Sequence, residues 1–263
     1  MTTNQPLASL APRLLRVKDL HLEFPLHMHL DSSWRDRFVG ALTRSRESGN
    51  RRERHSVLKD LSFEVRRGER IGIVGVNGTG KSSLCRCIAG VYTPTSGSIA
   101  RYGKVRALFE TSMGINGELT GRENALVLGE LLFPDEPNRK ELVEEAMEFS
   151  ELGKFLDAPF KVYSLGMQTR LCLSIVTAQP SDILILDEVF TGADIFFQEK
   201  MIPRSLQMIE RSGAVLMVSH SPHLIAHVCN RVIVLHEGRI LYDGGVDEAL
   251  NRYVGLQPLT AQA

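Results

Sequence analysis

The 263-residue sequence predicts an α/β fold, a mainly parallel sheet covered on both faces by helices. Three observations predict it. Short apolar strands alternate with amphipathic helical stretches through the middle of the chain. The strand Arg70–Val74 runs straight into a glycine-rich loop and then a helix. The run Ile183-Leu184-Ile185-Leu186 reads as a buried parallel strand closing on the acidic pair Asp187-Glu188.

Taken in order, residues 1–12 are rich in Pro, Ser, Thr and Gln and read as a tail. Residues 13–253 form one domain, and 254–263 are a second tail. Leu14–Val17 and Leu20–Phe24 alternate as edge strands. Residues 31–55 are a basic insertion. Arg35, Arg37, Arg44, Arg46, Arg51, Arg52 and Arg54 outnumber Asp31, Asp36, Glu47 and Glu53, and Trp34 and Phe38 stand at helical spacing. A short amphipathic helix and a basic loop fit that pattern. Its two readings are a solvated insertion, or contact with lipid headgroups or an anionic substrate. Val57–Val65 reads as a strand pair ending at the turn Arg67-Gly68-Glu69. Then follow helix 81–89, a strand around 104–109, a helical region 120–178, strand 183–186, helix 197–211, strand 214–218, helix 222–228 and strand 231–235. Within 138–149, Leu142, Val143, Ala146, Met147 and Phe149 make an apolar stripe expected in the core.

Composition excludes several classes. Formal net charge is zero, with 31 basic and 31 acidic residues, so a global footprint for nucleic acid is missing. No stretch approaches the ~18 to 20 apolar residues that span a bilayer. The N-terminal residues show no charged leader with an apolar core, so the expected location is the cytosol unless a partner recruits the chain. Cys85 and Cys87, two apart, point in different directions on a helix; with Cys172 and Cys229 they are expected as reduced, partly buried thiols.

The loop after Arg70–Val74 is Gly75-Val76-Asn77-Gly78-Thr79-Gly80-Lys81-Ser82-Ser83, a G-x-x-x-x-G-K-S string between strand and helix. Gly75, Gly78 and Gly80 let the backbone fold tightly against a polyphosphate, and Asn77 and Thr79 complete the loop. Amides from Gly78 to Ser83 and the positive helix end face the anion. Lys81 neutralises β and γ phosphates, and the Ser82 hydroxyl ligands Mg²⁺. Ligands of open α/β sheets sit beyond the carboxyl ends of strands, so Asp187 and Glu188 face the same cradle. Asp187 is the expected magnesium ligand through water. Glu188 polarises the attacking water, a general-base role contributing ~10² to 10⁴ in rate. ATP and Mg²⁺ are the expected ligands of a P-loop NTPase core of RecA-like type.

Tyr163-Ser164-Leu165-Gly166-Met167-Gln168 precedes Asp187 and opens a helix. It resembles the ABC signature L-S-G-G-Q, with Ser164, Gly166 and Gln168 retained and Leu165 in place of the first glycine. By that resemblance the chain is similar to ABC transporter ATP-binding subunits over roughly residues 13–250. The resemblance implies an antiparallel β subdomain, an α-helical subdomain over 112–178, and a homodimer. In that dimer Ser164 and Gly166 of one subunit reach the γ-phosphate bound by the other. It further implies that His220, after the strand Ala214–Val218, senses the γ-phosphate, and that Asp194 couples the two sites. A zinc site at His220, His223 and His227 is the rival, but Pro222 should start the helix and leave His220 off the ligand face. Phe24 matches the aromatic that stacks on adenine, with Trp34 and His55 as rivals.

One departure narrows the family. No glutamine lies between 101 and 124, where ABC proteins carry one beside Mg²⁺; Glu110 is the nearest substitute. With Glu118-Leu119-Thr120-Gly121-Arg122-Glu123-Asn124, the Tyr-Ser-x-Gly-Met string and the long insertion, this resembles the ATPases that export O-antigen, capsule and teichoic-acid polysaccharides. The resemblance implies integral membrane permease subunits as partners, gripped by 112–178. It also implies a peripheral position on the cytoplasmic face of the inner membrane. Export of another lipid or drug, and a non-transport ABC ATPase, stand as alternatives.

Overall fold

The computed structural model describes residues 11–25, 54–108, 115–187, 203–204, 206–219 and 221–256. Thirteen residues whose burial alternates make strand β1 (Arg13–Pro25). It lies between β2 (Arg54–Arg66) and β4 (Ser96–Arg101), antiparallel to both. Two short edge strands were expected in 14–24, and one central strand is found. Val57–Val65, read as a strand pair, likewise lies within the single strand β2. The reason is local. Asp19 and Asp60 take positive φ (49° and 55°) beside shifts of register, so each strand bulges without ending. At the first bulge the Asp19 amide donates to Ser62 Oγ (2.8 Å), and that hydroxyl donates back to the Asp19 carboxylate (3.0 Å).

The second sheet holds β3 (Arg70–Val74), β5 (Val105–Leu108), β6 (Ile183–Asp187), β7 (Ala214–Val218), β8 (Arg231–His236) and β9 (Arg239–Gly244). Its order is β5-β6-β7-β3-β8-β9, parallel except for β9. The runs in β6, β7 and the middle of β8 are buried at every residue, as strands covered on both faces must be. β4, β9 and the terminal helix α6 (Val246–Leu256) were not anticipated. β4 is largely exposed and β9 alternates at a sheet edge, so neither carries a strong apolar pattern.

Helix α1 (Lys81–Ala89) packs between the two sheets, against β2 on one side and β5 to β7 on the other. α5 (Pro222–Val228) starts at Pro222, as expected, and approaches β3 at Gly72. A Cβ there would lie 2.9 Å from Ile225 Cγ2.

A separate helical body contains α2 (Gly121–Leu132), α3 (Arg139–Phe149) and α4 (Leu165–Val176), with 3-10 turns over Gly153–Asp157 and Phe160–Val162. It has its own core around Leu128, Phe133, Val143, Met147, Leu171 and Ile175. Of the stripe expected there, Val143, Ala146 and Met147 are buried in this core, while Leu142 and Phe149 are half-buried and Phe149 packs instead against the cluster on the parallel sheet. Arg106 of β5 fastens this body to the parallel sheet. Its guanidinium donates to the carbonyls of Gln179, Pro180 (3.3 Å) and Leu132 (3.4 Å), and lies 4.5 Å above the Phe133 ring. Burial lowers its pKa to about 10. The expected helix 197–211 is described only in part, with 206–211 helical. All four cysteines are buried, and none is in a disulfide.

Candidate nucleotide site

The site begins where β3 ends. Gly75 sits so close to β8 that a Cβ would overlap the Leu235 carbonyl oxygen, so the loop can leave the sheet only at a glycine. Gly80 has φ +97°, and its Cβ position lies 2.7 Å from Leu58 Cδ2 and 3.0 Å from the Val57 carbonyl oxygen. The loop is thereby pressed onto β2. Thr79 closes it from within, its hydroxyl donating to the Val76 carbonyl at 2.9 Å. Asn77 and Gly78 face solvent, while Ser82 and Ser83 are half-buried in the first turn of α1. The Lys81 amine, only 7% exposed in residue terms, arches back to the Gly75 and Val76 carbonyls at 2.8 and 3.2 Å. It therefore stands over the concave side of the loop, where negative charge would be met.

The helix behind the loop is built to receive an anion. α2, α4 and α5 each begin with a hydroxyl accepting from their own first turn: Thr120 in a capping box with Glu123, Ser164, and Ser221. α1 begins with Gly80, which has no side chain to offer, and has no acidic residue in its first turn. Its amides and dipole suit phosphate oxygens.

Asp187 ends β6 and is 7% exposed. Its charge reaches Cys85 on α1, whose thiol is pushed well above its ordinary value, first by burial and second by Asp187. Strand alternation puts Asp187 on the face of β6 shared by Ile183 and Ile185, which pack with Leu84, Cys85 and Ile88 of α1. Between β6 and β3 runs β7, and Val218 pairs with Asp187. A buried carboxylate beside the loop, with Ser82 at the head of α1, is a donor set suited to Mg²⁺. Glu110, Glu188, Asp194 and His220 lie outside the described residues, as does the insertion except Arg54 and His55. His223 and His227 stand exposed on α5.

Phe24 closes β1 with 39% exposure, paired in register with the exposed His55; Trp34 lies outside the described residues. The Phe24 ring meets Tyr92 edge-on, centroids 5.5 Å apart, and Arg86 of α1 lies 5.8 Å from the Tyr92 centroid. Sequence reasoning missed Tyr92. It sits after the helix that follows the phosphate loop, and only the fold brings it to the end of β1.

The Ser164 turn belongs to the helical body. Ser164 Oγ accepts from the Met167 amide (3.3 Å), and Gln168 donates both its amide to the Ser164 carbonyl (3.0 Å) and its side chain to the Tyr163 carbonyl (3.3 Å). Ser164 and Leu165 are exposed, Leu165 at 63%, and Gly166 is half-buried. The turn is presented outward.

Comparison with known proteins agrees with this architecture. The sequence model described as "ABC transporter" matches residues 58–191. The O-antigen export system ATP-binding protein RfbE of Yersinia enterocolitica is 37% identical over 232 residues, spanning 88% of this chain and 97% of that protein. The teichoic acids export ATP-binding protein TagH of Bacillus anthracis is 36% identical over 76% of this chain, but the match covers 36% of that protein. Among solved structures, the ATP-binding subunit of an ABC transporter superposes with a TM-score of 0.68 at 23% identity, covering 92% of this chain and 94% of the other. A dimeric ATP-binding cassette bound to ADP and Pi in a post-hydrolysis state gives 0.66 at 19%, covering 89% and 99%. These two establish the shared fold.

Proposed function

We propose a mechanism from one premise: this chain belongs to the ABC transporter family and is an ATP-binding, ATP-hydrolysing subunit. Two copies face each other head to tail, and each ATP lies between one copy's phosphate loop and the other's Ser164 turn. The observation that supports this most directly is the Ser164–Gly166 turn. It is rigidly capped and yet open to solvent, on a body whose core is separate from that of the phosphate loop. A turn ordered by its own hydrogen bonds while facing outward is poised for a partner.

Within one copy, Gly75, Asn77, Gly78, Thr79, Gly80, Lys81, Ser82 and Ser83 wrap the phosphates, and Phe24 offers its exposed ring to adenine. Ser82 and Asp187, with Glu110, would hold Mg²⁺, which supplies charge neutralisation on the β and γ phosphates when bound. Glu188 orients and deprotonates the attacking water, His220 meets the γ-phosphate, and Asp194 couples the two sites. Ser164, Gly166 and Gln168 complete the neighbour's pocket. Closure then depends on nucleotide, since the phosphates satisfy donors of both copies. Loss of the γ-phosphate reopens the dimer.

The cargo of this reading is a lipid-linked polysaccharide of O-antigen or capsule type, passed through integral membrane permease subunits that the helical body grips. The names of relatives at 35–38% identity support it, as do Glu110 in place of glutamine and the basic insertion. In this reading the subunit is held at the cytoplasmic face by its permease, with the 31–55 insertion touching the membrane surface; among the described residues no helix is long and apolar enough to cross a membrane. The test is Glu188→Gln. With MgATP the variant should accumulate as a closed dimer by light scattering and hydrolyse nothing. A variant that stays monomeric, or turns over normally, would end the proposal.

A further inference from the structure

The residue just before the signature turn is held in an unusual way. Tyr163 is 5% exposed, and its hydroxyl donates to the Phe155 carbonyl at 2.6 Å. Its ring lies directly against the first residue of α2, so that a Cβ on Gly121 would overlap the Tyr163 hydroxyl. A glycine at that point is a seat for a ring.

The same place is a seam between two loops. The Gly121 amide donates to the Ala158 carbonyl (3.2 Å), the Phe160 amide to the Leu119 carbonyl (2.8 Å) and the Lys161 amide to the Gly117 carbonyl (3.0 Å). Thr120 and Pro159 form an isolated antiparallel bridge. Residues 117–121 and 158–161 therefore run side by side as a short two-stranded clamp, and Tyr163 plugs its end.

Asn124, fully buried on α2, extends the clamp backward. Its side-chain amide donates to the carbonyls of Asn116 (2.9 Å), Leu119 (3.3 Å) and Thr120 (3.0 Å), and its Oδ1 accepts from the Asn116 amide (2.9 Å). Asn116 belongs to the segment arriving from β5. One buried amide thus ties that segment to α2, and the clamp ties α2 to the turn carrying Ser164.

We propose that Tyr163 is a positioning residue for the Ser164 turn: its ring on Gly121 and its hydroxyl on the Phe155 carbonyl fix the turn at the angle from which it completes the neighbouring copy's nucleotide pocket. Asn124 extends that fixed relation to Asn116, so Asn116, the start of α2 and the turn are held in one frame. The assignment rests on the two-copy reading above. A residue with this role leaves the phosphate loop of its own chain untouched and weakens only what the turn does for its partner.

The experiment uses the full chain in a Glu188→Gln background with MgATP, reading dimer dissociation by light scattering and monomer nucleotide affinity with a fluorescent ATP analogue. Glu188→Gln alone must dimerise, and its failure would count against the two-copy reading itself. Given that dimer, Tyr163→Phe keeps the ring but removes one hydroxyl–carbonyl bond, and dimerisation should weaken about two- to tenfold. Gly121→Ala displaces the ring and should weaken it further. In both, monomer affinity for nucleotide should stay unchanged. Phe160→Leu is the control. That ring stacks 4.9 Å from Tyr163 but holds no bond to the turn, so it should lower the melting temperature without weakening the dimer. If Tyr163→Phe dimerises as tightly as its parent, or if Phe160→Leu weakens the dimer equally, Tyr163 is ordinary core and the inference is overturned.

Discussion

Gly78 and Gly80 stand two residues apart in the phosphate loop, both at positive φ (80° and 97°), and they separate two costs. Replacing either by alanine forces a side chain into the left-handed region, a loss of about 1–2 kcal/mol. At Gly78 nothing lies within 4 Å of the new methyl, so that is the whole effect. At Gly80 the methyl also meets Leu58 Cδ2 at 2.7 Å and the Val57 carbonyl at 3.0 Å. The leucine can rotate, but the carbonyl belongs to β2, and its hydrogen-bonded strand cannot yield cheaply. Overpacking of that kind costs about 1–3 kcal/mol more. Urea unfolding of nucleotide-free protein should therefore place Gly80→Ala below Gly78→Ala by that increment, at unchanged slope. Equal losses in the two variants would mean that the loop is not pressed onto β2, and the account of how the cradle is held would fail.

Three further outcomes follow from the same structure. Burial raises the thiols of Cys87 to about 11 and of Cys172 and Cys229 to about 12. Each folded value lies above the ordinary 9.0, so the unfolded chain loses these protons first. Their stabilisation is complete below about pH 9 and is lost as pH rises toward 11–12, and urea midpoints measured across that range should fall. Arg106→Met removes the donor shared by the carbonyls of Gln179, Pro180 and Leu132, and should cost about 1–3 kcal/mol for each carbonyl left without a partner. Hydrogen exchange should locate the loosening at the end of α2. Lys81→Ala should abolish MgATP binding measured by calorimetry while leaving the fold intact by circular dichroism.

The parts of the site that sequence made legible are those whose chemistry forces a local pattern. A tight loop leaving a strand needs glycines at set intervals, and a carboxylate held at a strand end needs a buried apolar run before it, so the turn over Gly75–Ser83 and the strand Ile183–Asp187 could be read without any fold. The Ser164 turn was legible for the same reason, since a capped helix start has a local spelling. Tyr92 and Tyr163 were not. Each meets a neighbour far away in the chain, Phe24 in one case and Gly121 in the other, and no periodicity announces such a meeting. β1 misled for a different reason: its bulge at Asp19 breaks the alternation that marks a strand, although the strand continues. β4 and β9 escaped because edge strands with exposed faces have little apolar pattern to show.

Among the described residues, three helices finish their own beginnings with a hydroxyl, whereas the helix at the phosphate loop and the one after Asn138 have no side-chain cap, and only the former starts at a glycine with no acidic residue in its first turn. A nucleotide phosphate held at that N-terminus would cap the helix as well as serve as fuel. At a concentration a hundred times its dissociation constant, a bound ligand adds about 2.7 kcal/mol to the folded state. The sturdiness of the subunit should accordingly rise and fall with the cell's supply of triphosphate, so that a starved cell would hold a more fragile motor.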